Sequence, residues 1–254
     1  MIRVGIAGIA GRMGRTVAPL VVADPDMQLV GGTIRPDTTL DQAQSALLGG
    51  EARWAGLLTD QPAELAAIAD VIIDFTTPES ALAHAAACAE VGCRFVSGTT
   101  GLDARQSVAL DELSSRIAVF HAANFSLGIA AIQEALSRLA VTLAGYDVAV
   151  IETHHTRKRD APSGTAVLLA QTVTNARSEM RSAPNVDIHS LRLGGQPGEH
   201  TVTFAAEDEQ VTIRHQAFGR RAYASGTLLA ARFVVRQPPG RYTMDDLLAD
   251  LAGD

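Results

Sequence analysis

The sequence predicts an α/β protein in which a doubly wound parallel sheet carries an inserted α+β module. Three observations lead there. Short apolar runs rich in β-branched residues alternate with helix-length segments through the first half, the βα rhythm of a parallel sheet. Beyond Ser126 that rhythm gives way to an amphipathic helix and strands that alternate polar and apolar side chains. The closing RYTMDDLLADLA is again helical in pattern. The expected division is residues 1–125 and 221–254 for one domain and 126–220 for the insertion.

Composition narrows the function classes. A chain of 254 residues suits one large domain or two ordinary ones. Its 47% hydrophobic and 19% charged residues describe a core-forming chain without a disordered tail. The formal net charge of -7 argues against nucleic-acid binding, which needs a basic face. No apolar run has the length of a membrane span, and MIRVGIAGIAGRMGR lacks the build of a signal peptide. Cys88 and Cys93, the only cysteines, support neither a disulfide framework nor a zinc site, so reduced thiols, a cytoplasmic setting and no metal are expected. His84, near them, reads as a partly buried or surface histidine.

The elements follow in order. IRVGIAG, residues 2–8, is a strand; AGRMGRTVAPLVVADP is a helix that stops at Asp24-Pro25; MQLVGGTI, 27–34, is a second strand. Glycines at 8, 11 and 14 stand at the strand-to-helix turn, where they permit a tight turn, close approach to a pyrophosphate and close helix packing. A glycine-rich structural turn would look similar, but the position in the first βαβ unit favours a Rossmann-type dinucleotide site. Gly8, Ile9, Ala10, Gly11, Arg12, Met13 and Gly14 are its expected contacts. The second strand ends in GGTIRPDTT, where the first charged residue is Arg35 and not the acidic residue that binds a ribose diol. A guanidinium suits a 2′-phosphate, so NADPH is expected over NADH, with Asp37 as a counterweight.

PAELAAIA is helical, DVIIDFT (70–76) a buried strand, PESALAHAAACAEVG a helix and CRFVSGTTG (93–101) a strand. ARQSVALDELSSR and IAVFHAANFS repeat the pair. DFTTP, SGTTG and AANFS therefore fall at the carboxyl ends of strands, where such sheets bind ligands. Turn chemistry explains any one of them; three in succession point to Gly98, Thr99, Thr100, Ala122, Ala123, Asn124 and Phe125 as cofactor contacts.

LGIAAIQEALSRLAVTLA is an amphipathic helix, YDVAVIETHH a strand, and a further helix starts near Gly164. HSLRLGG and HTVTFAAEDEQVTIRHQAF read as strands with turns at GGQPG and EDE. Between the first strand and its helix lies THHTRKRDAPSGTA, a cluster of positive charge in an acidic chain. Ser163, Gly164 and Thr165 sit at the helix start and can bind a carboxylate through N–H groups and a hydroxyl. Pro162 fixes φ just before it. A histidine titrating near neutrality suits proton transfer. Alone, the segment fits a solvated basic loop equally well. Arg157 and Arg159 read as solvated or steering charges, and His215 as structural.

GIAGRMG, DFTTP, SGTTG, AANFS and above all ETHHTRKRDAPSGTA together resemble the 4-hydroxy-tetrahydrodipicolinate (dihydrodipicolinate) reductase family, from residue 2 to the terminal RYTMDDLLAD. The resemblance implies NAD(P)H-dependent reduction of a small cyclic dicarboxylate in diaminopimelate and lysine biosynthesis. It also implies His154 as proton donor or acceptor, Lys158 as proton donor, His155, Gly164 and Thr165 as substrate-binding positions, and a homotetramer built through the sheet of the insertion. Phe218, where a small polar residue is expected, and Arg35 depart from the pattern. Two rival readings are a non-catalytic dinucleotide sensor, which has no use for His154 and Lys158, and a related amino-acid or aldehyde dehydrogenase, which has none for DAPSGTA.

Overall fold

The structure, a computed structural model, describes residues 1–35, 38, 56–178 and 185–253. Its contacts divide into two units, Met1–Phe125 with Tyr223–Asp254, and Ser126–Ala222.

The first unit is a seven-stranded sheet in the order β11 (Gly240–Tyr242), β6 (Ala118–His121), β5 (Arg94–Ser97), β4 (Val71–Asp74), β1 (Ile2–Ala7), β2 (Met27–Thr33) and β3 (Leu57–Thr59), every neighbouring pair parallel. In chain order it comprises β1 (Ile2–Ala7), α1 (Gly14–Ala23), β2 (Met27–Thr33), β3 (Leu57–Thr59), α2 (Pro62–Ile68), β4 (Val71–Asp74), α3 (Pro78–Val91), β5 (Arg94–Ser97), α4 (Ala104–Ser114) and β6 (Ala118–His121). After the inserted unit come α7 (Arg221–Val234), β11 (Gly240–Tyr242) and α8 (Met244–Gly253). The central strands are apolar without alternation because both faces are covered. Leu65 and Ala66 of α2, Ala81, Ala85 and Cys88 of α3 and Leu110 of α4 pack on one face against Ala7, Ile72, Phe95 and Val119. On the other, Phe233 of α7 meets Phe120 edge-on at 6.0 Å. The order of strands reverses beside β1, where β2 lies on one side and β4 on the other, so the carboxyl ends of β1 and β4 flank the crevice such sheets use for ligands.

Several elements differ from the sequence reading. The strands expected over 70–76 and 93–101 stop at Asp74 and Ser97, because the small polar residues beyond them turn into loops held by side chains. The terminal segment is not helical throughout. Its Gly240–Tyr242 pairs with β6 as the sheet edge, and the helix starts only at Met244, with Asp246 accepting hydrogen bonds from the Thr243 N–H and hydroxyl. Both β3 and α7 also lie outside the elements read from sequence.

The second unit comprises α5 (Leu127–Thr142), β7 (Asp147–His154), α6 (Gly164–Ala176), β8 (Val186–Arg192), β9 (Glu199–Ala205) and β10 (Gln210–Gln216). Its sheet runs β10-β9-β7-β8, with β7 and β8 parallel and the other pairs antiparallel. Period-two alternation turns Val148, Val150, Val202 and Phe204 toward Ile129, Leu136, Leu169 and Val173 of the two helices. Arg177 is fully buried. Its guanidinium donates to the Ala140 and Leu143 carbonyls at the end of α5 and to the Tyr146 carbonyl just before β7, and lies 5.8 Å from the Phe204 ring centre.

Gly226 of α7 is one position where the first unit tolerates no side chain. A Cβ there would lie 1.8 Å from the carbonyl oxygen of Phe125. Gly226→Ala is expected to cost at least about 1–3 kcal/mol by overpacking, lowering Tm by several degrees. Gly219→Ala, whose Cβ meets nothing within 4 Å, should leave Tm near wild type. Thermal denaturation followed by circular dichroism checks both, and equal midpoints for the two variants would overturn the packing argument.

Candidate functional site

Among the described residues, polar side chains gather in two clusters, one in each unit. In the first, the chain leaves β1 through Gly8, whose φ of 73° is open to glycine, and re-enters helix at Gly14. A Cβ on Gly14 would lie 2.4 Å from the Ile9 carbonyl oxygen, so only glycine lets α1 start this close to the turn. No side chain caps α1 and its first turn holds no acidic residue, so its positive end is left to an anionic group. Ile9 is wholly buried, whereas Gly11 and Arg12 are exposed and Ala10 and Met13 half-buried.

Behind the turn lies a buried hydrogen-bond chain. Gly8 N–H donates to the Thr33 hydroxyl, which stands 2.9 Å from His84 Nε2. His84 Nδ1 is 2.7 Å from the Ser80 carbonyl and must carry the proton, so Thr33 donates to Nε2. His84 is thus a buried strut of the turn and lies deeper than the sequence suggested.

Asp74, at the end of β4, is fully buried and accepts three hydroxyls, from Ser97 and Thr99 at 2.7 Å each and from Thr76. Thr99 also takes the Thr76 N–H, and its carbonyl lies 3.0 Å from His121 Nε2. Arg241 donates to His121 Nδ1, which makes Nε2 the protonated nitrogen, and burial lowers the His121 pKa. The DFTT, SGTTG and HAAN loops are therefore one hydrogen-bonded assembly. Among the expected cofactor contacts, Thr99 is buried and spends its hydroxyl on Asp74, and Phe125 is buried against Phe75. Gly98 and Asn124 are half-buried, Ala122 is nearly buried, and Thr100 and Ala123 are exposed. A Cβ on Gly98 would strike the Phe75 ring at 2.2 Å, which explains the glycine. Arg35 is exposed two residues past the end of β2; Asp37 lies outside the described residues.

The second cluster gathers on the helix-facing side of the smaller sheet. Glu152 and His154, two apart on β7, share that face, and His200 pairs with Glu152 on β9 and with His215 on β10. Glu152 is fully buried and hydrogen-bonded to His154 Nδ1. Its oxygens also take Arg192 Nη1 at 2.9 and 3.0 Å and the Ser163 N–H at 3.2 Å. Burial opposes ionisation of Glu152, but hydrogen bonds from Ser190, His154 and Arg192 outweigh it and hold the pKa below the ordinary value. In His154 burial prevails instead and lowers the pKa against the pull of Glu152. The His200 and His154 rings meet edge-on at 5.2 Å, and burial with two histidine neighbours pushes the His200 pKa down to about 4.

The loop after β7 is fastened by Arg192, which donates to the carbonyls of Lys158 and Asp160 as well as to Glu152. Lys158 Nζ donates to Asp160 at 2.6 Å, and His155 is half-buried. Arg157 and Arg159 are exposed, as solvated charges should be. Ala161-Pro162 is a cis peptide bond, and Ser163 caps α6 by accepting the Ala166 N–H. Ser163 is buried and its hydroxyl stands 3.0 Å from His200 Nε2, so both its polar groups serve the protein. Gly164 is exposed and Thr165 half-buried at the first helical positions. His215 stands 3.3 Å from the Ser126 hydroxyl. Phe218 is 90% exposed.

Asp74, His121, Glu152, Arg192 and His200 were not singled out from sequence. Two of them leave a trace there. A carboxylate closing an apolar strand marks Asp74, and the two-residue offset from His154 marks Glu152. Arg192 and His200 reach the site only through sheet pairing.

The chain matches family profiles described as dihydrodipicolinate reductase, N-terminus, over residues 2–125 and dihydrodipicolinate reductase, C-terminus, over residues 128–248. Curated relatives named 4-hydroxy-tetrahydrodipicolinate reductase include those of Thermomicrobium roseum, 42% identical over 98% of this chain and 100% of the relative, and Chromohalobacter salexigens, 39% identical over 98% of each. Among solved structures, the dipicolinate-bound dihydrodipicolinate reductase from Paenisporosarcina sp. TG-14 superposes with a TM-score of 0.79 at 28% identity, covering 96% of this chain and 97% of that one.

Proposed function

Because the chain belongs to the dihydrodipicolinate reductase family, we propose that it reduces 4-hydroxy-tetrahydrodipicolinate to tetrahydrodipicolinate on the route to diaminopimelate and lysine. The observation that carries the reading is the pairing of a carboxylate-bound histidine, His154, with a basic loop and a helix start in one cluster. A bound NAD(P)H supplies the hydride. The Gly14 cradle and the uncapped, acid-free start of α1 fit its pyrophosphate.

The substrate loses water to give a conjugated imine, takes hydride at C4, and the resulting enamine takes a proton. Water leaves, and one hydride and one proton are gained. His154 holds its own proton on Nδ1 against Glu152, which leaves Nε2 to exchange a proton with the ring. Lys158 exchanges its Asp160 partner for the substrate and donates a proton or steadies developing negative charge. Gly164 and Thr165 offer the start of α6 to one carboxylate, with His155 alongside. Ser163 contributes by holding that helix start in place. The dicarboxylate thus accounts for the concentration of positive charge in an acidic chain.

Two further assignments support this reading. The outer face of the smaller sheet, away from α5 and α6, exposes Ile151 and Leu191, and we assign it to contact between copies in a homotetramer. The buried, unpaired Cys88 and Cys93 suit a reducing cytoplasm.

Lys158→Ala and His154→Ala should each lower kcat about 100-fold or more, the usual loss for an acid–base group. NADPH affinity, read by fluorescence titration, should stay near wild type. Normal turnover by either variant would remove its assigned role.

Cofactor choice rests on Arg35, two residues past the end of β2, the strand end near which the adenosine ribose of a Rossmann-bound dinucleotide lies. A charge-assisted contact to a 2′-phosphate is worth about 1.5–3 kcal/mol, or about one to two decades in affinity. Arg35→Glu should therefore raise KM for NADPH far more than KM for NADH. An equal change for both would place Arg35 outside the 2′ pocket.

The oligomer is checked by light scattering on the purified chain. Four times the chain mass is expected, and a monomer mass that persists at high concentration would overturn the assignment.

A further inference from the structure

We propose that Glu152 is a positioning residue that sets the tautomer and proton affinity of His154, and that Arg192 holds Glu152 and the Lys158 loop in a single register. The proposal rests on the reading that His154 exchanges a proton with substrate, and it assigns a task to two residues that this chemistry does not itself require.

Geometry carries it. Glu152 is fully buried, yet it is hydrogen-bonded to His154 Nδ1, Arg192 and the Ser163 N–H. A carboxylate accepts and does not donate when ionised, so the bond to Nδ1 requires a proton there whether the imidazole is neutral or cationic. The neutral ring is then confined to the tautomer whose Nε2 lone pair faces away from the strand. Without the carboxylate, the ring is free to turn or to place its proton on Nε2. A buried histidine alone loses basicity; Glu152 restores part of it.

The other groups facing His154 pull the opposite way. Lys158 from the loop and Arg192 from β8 both disfavour a second proton on the ring. His200, on β9, packs against it edge-on and is itself held neutral by burial, with His215 beyond it on β10. Glu152 is the single anion among these groups that touches the imidazole, so its charge decides how readily His154 binds a proton.

Arg192 joins this setting to the loop. One guanidinium reaches Glu152, the Lys158 carbonyl and the Asp160 carbonyl, so the acid–base pair His154 and Lys158 is fastened through one side chain. Lysine, whose three donors sit on a single nitrogen, cannot span the three. Arg192→Lys is accordingly expected to lower kcat about tenfold or more, with little change in NADPH binding.

The deciding experiment uses the full chain with 15N-labelled histidine, the His154 signals being identified by their loss in His154→Gln. In wild type, the neutral His154 ring should carry its proton on Nδ1. Glu152→Gln keeps the shape but removes the charge; the His154 titration should then move to lower pH by about one unit or more. The alkaline limb of kcat should move with it, because the proton-donating form is lost at lower pH. Glu152→Asp, which keeps the charge, should restore most of the wild-type titration. An unmoved His154 titration in Glu152→Gln overturns the proposal. If that variant does not fold, a wild-type ring protonated on Nε2 in its neutral form does so instead. The two readings part cleanly. A chain that shows the expected tautomer and shift but does not reduce the dicarboxylate keeps the positioning role and loses the reaction.

Discussion

A buried carboxylate must be surrounded by donors, and in each unit one such carboxylate gathers the loops that matter. Asp74 closes β4 and draws in hydroxyls from Thr76, Ser97 and Thr99. Glu152 lies near the end of β7 and draws in an imidazole, a guanidinium and a helix-start N–H. Neither has any exposed surface, so neither can fall back on water. The loops take the shapes that complete these two shells, and the positions of Thr100, His121, His154 and the start of α6 follow from them.

This constraint explains why small polar residues at strand ends have more than one use. Thr99 and Ser163 resemble ligand contacts in the sequence, since hydroxyls beside glycine commonly bind phosphates or carboxylates. In the folded chain their side chains are committed, Thr99 to Asp74 and Ser163 to the helix start beside His200. The neighbours they position are Thr100, exposed beyond β5, and Gly164 and Thr165, the first two residues of α6.

The parallel sheet was legible because its strands are apolar runs at regular intervals, and the glycine turn because steric demands leave glycine no substitute. The histidine-rich loop was legible as positive charge in an acidic chain. What escaped did so for physical reasons. The edge strand Gly240–Tyr242 has three residues, too few for any periodicity to show. Arg192 and His200 are 40 and 48 residues beyond Glu152, and only the pairing of β8 and β9 with β7 brings them to it. Long-range pairing leaves no local pattern. Nor does a buried carboxylate announce its partners, because hydroxyls at turns are common.

Arg177 has a consequence of another kind. It ends α6, yet its guanidinium is spent on carbonyls at the end of α5 and just before β7. Fraying of either helix end would strand a buried cation, so the two ends open together as one cooperative block or stay shut. Burial lowers its pKa, but a guanidinium keeps its proton at any physiological acidity. One end of the second unit is thus clasped by a charge that acidity does not release, while the histidine row at the opposite end of its sheet answers to it.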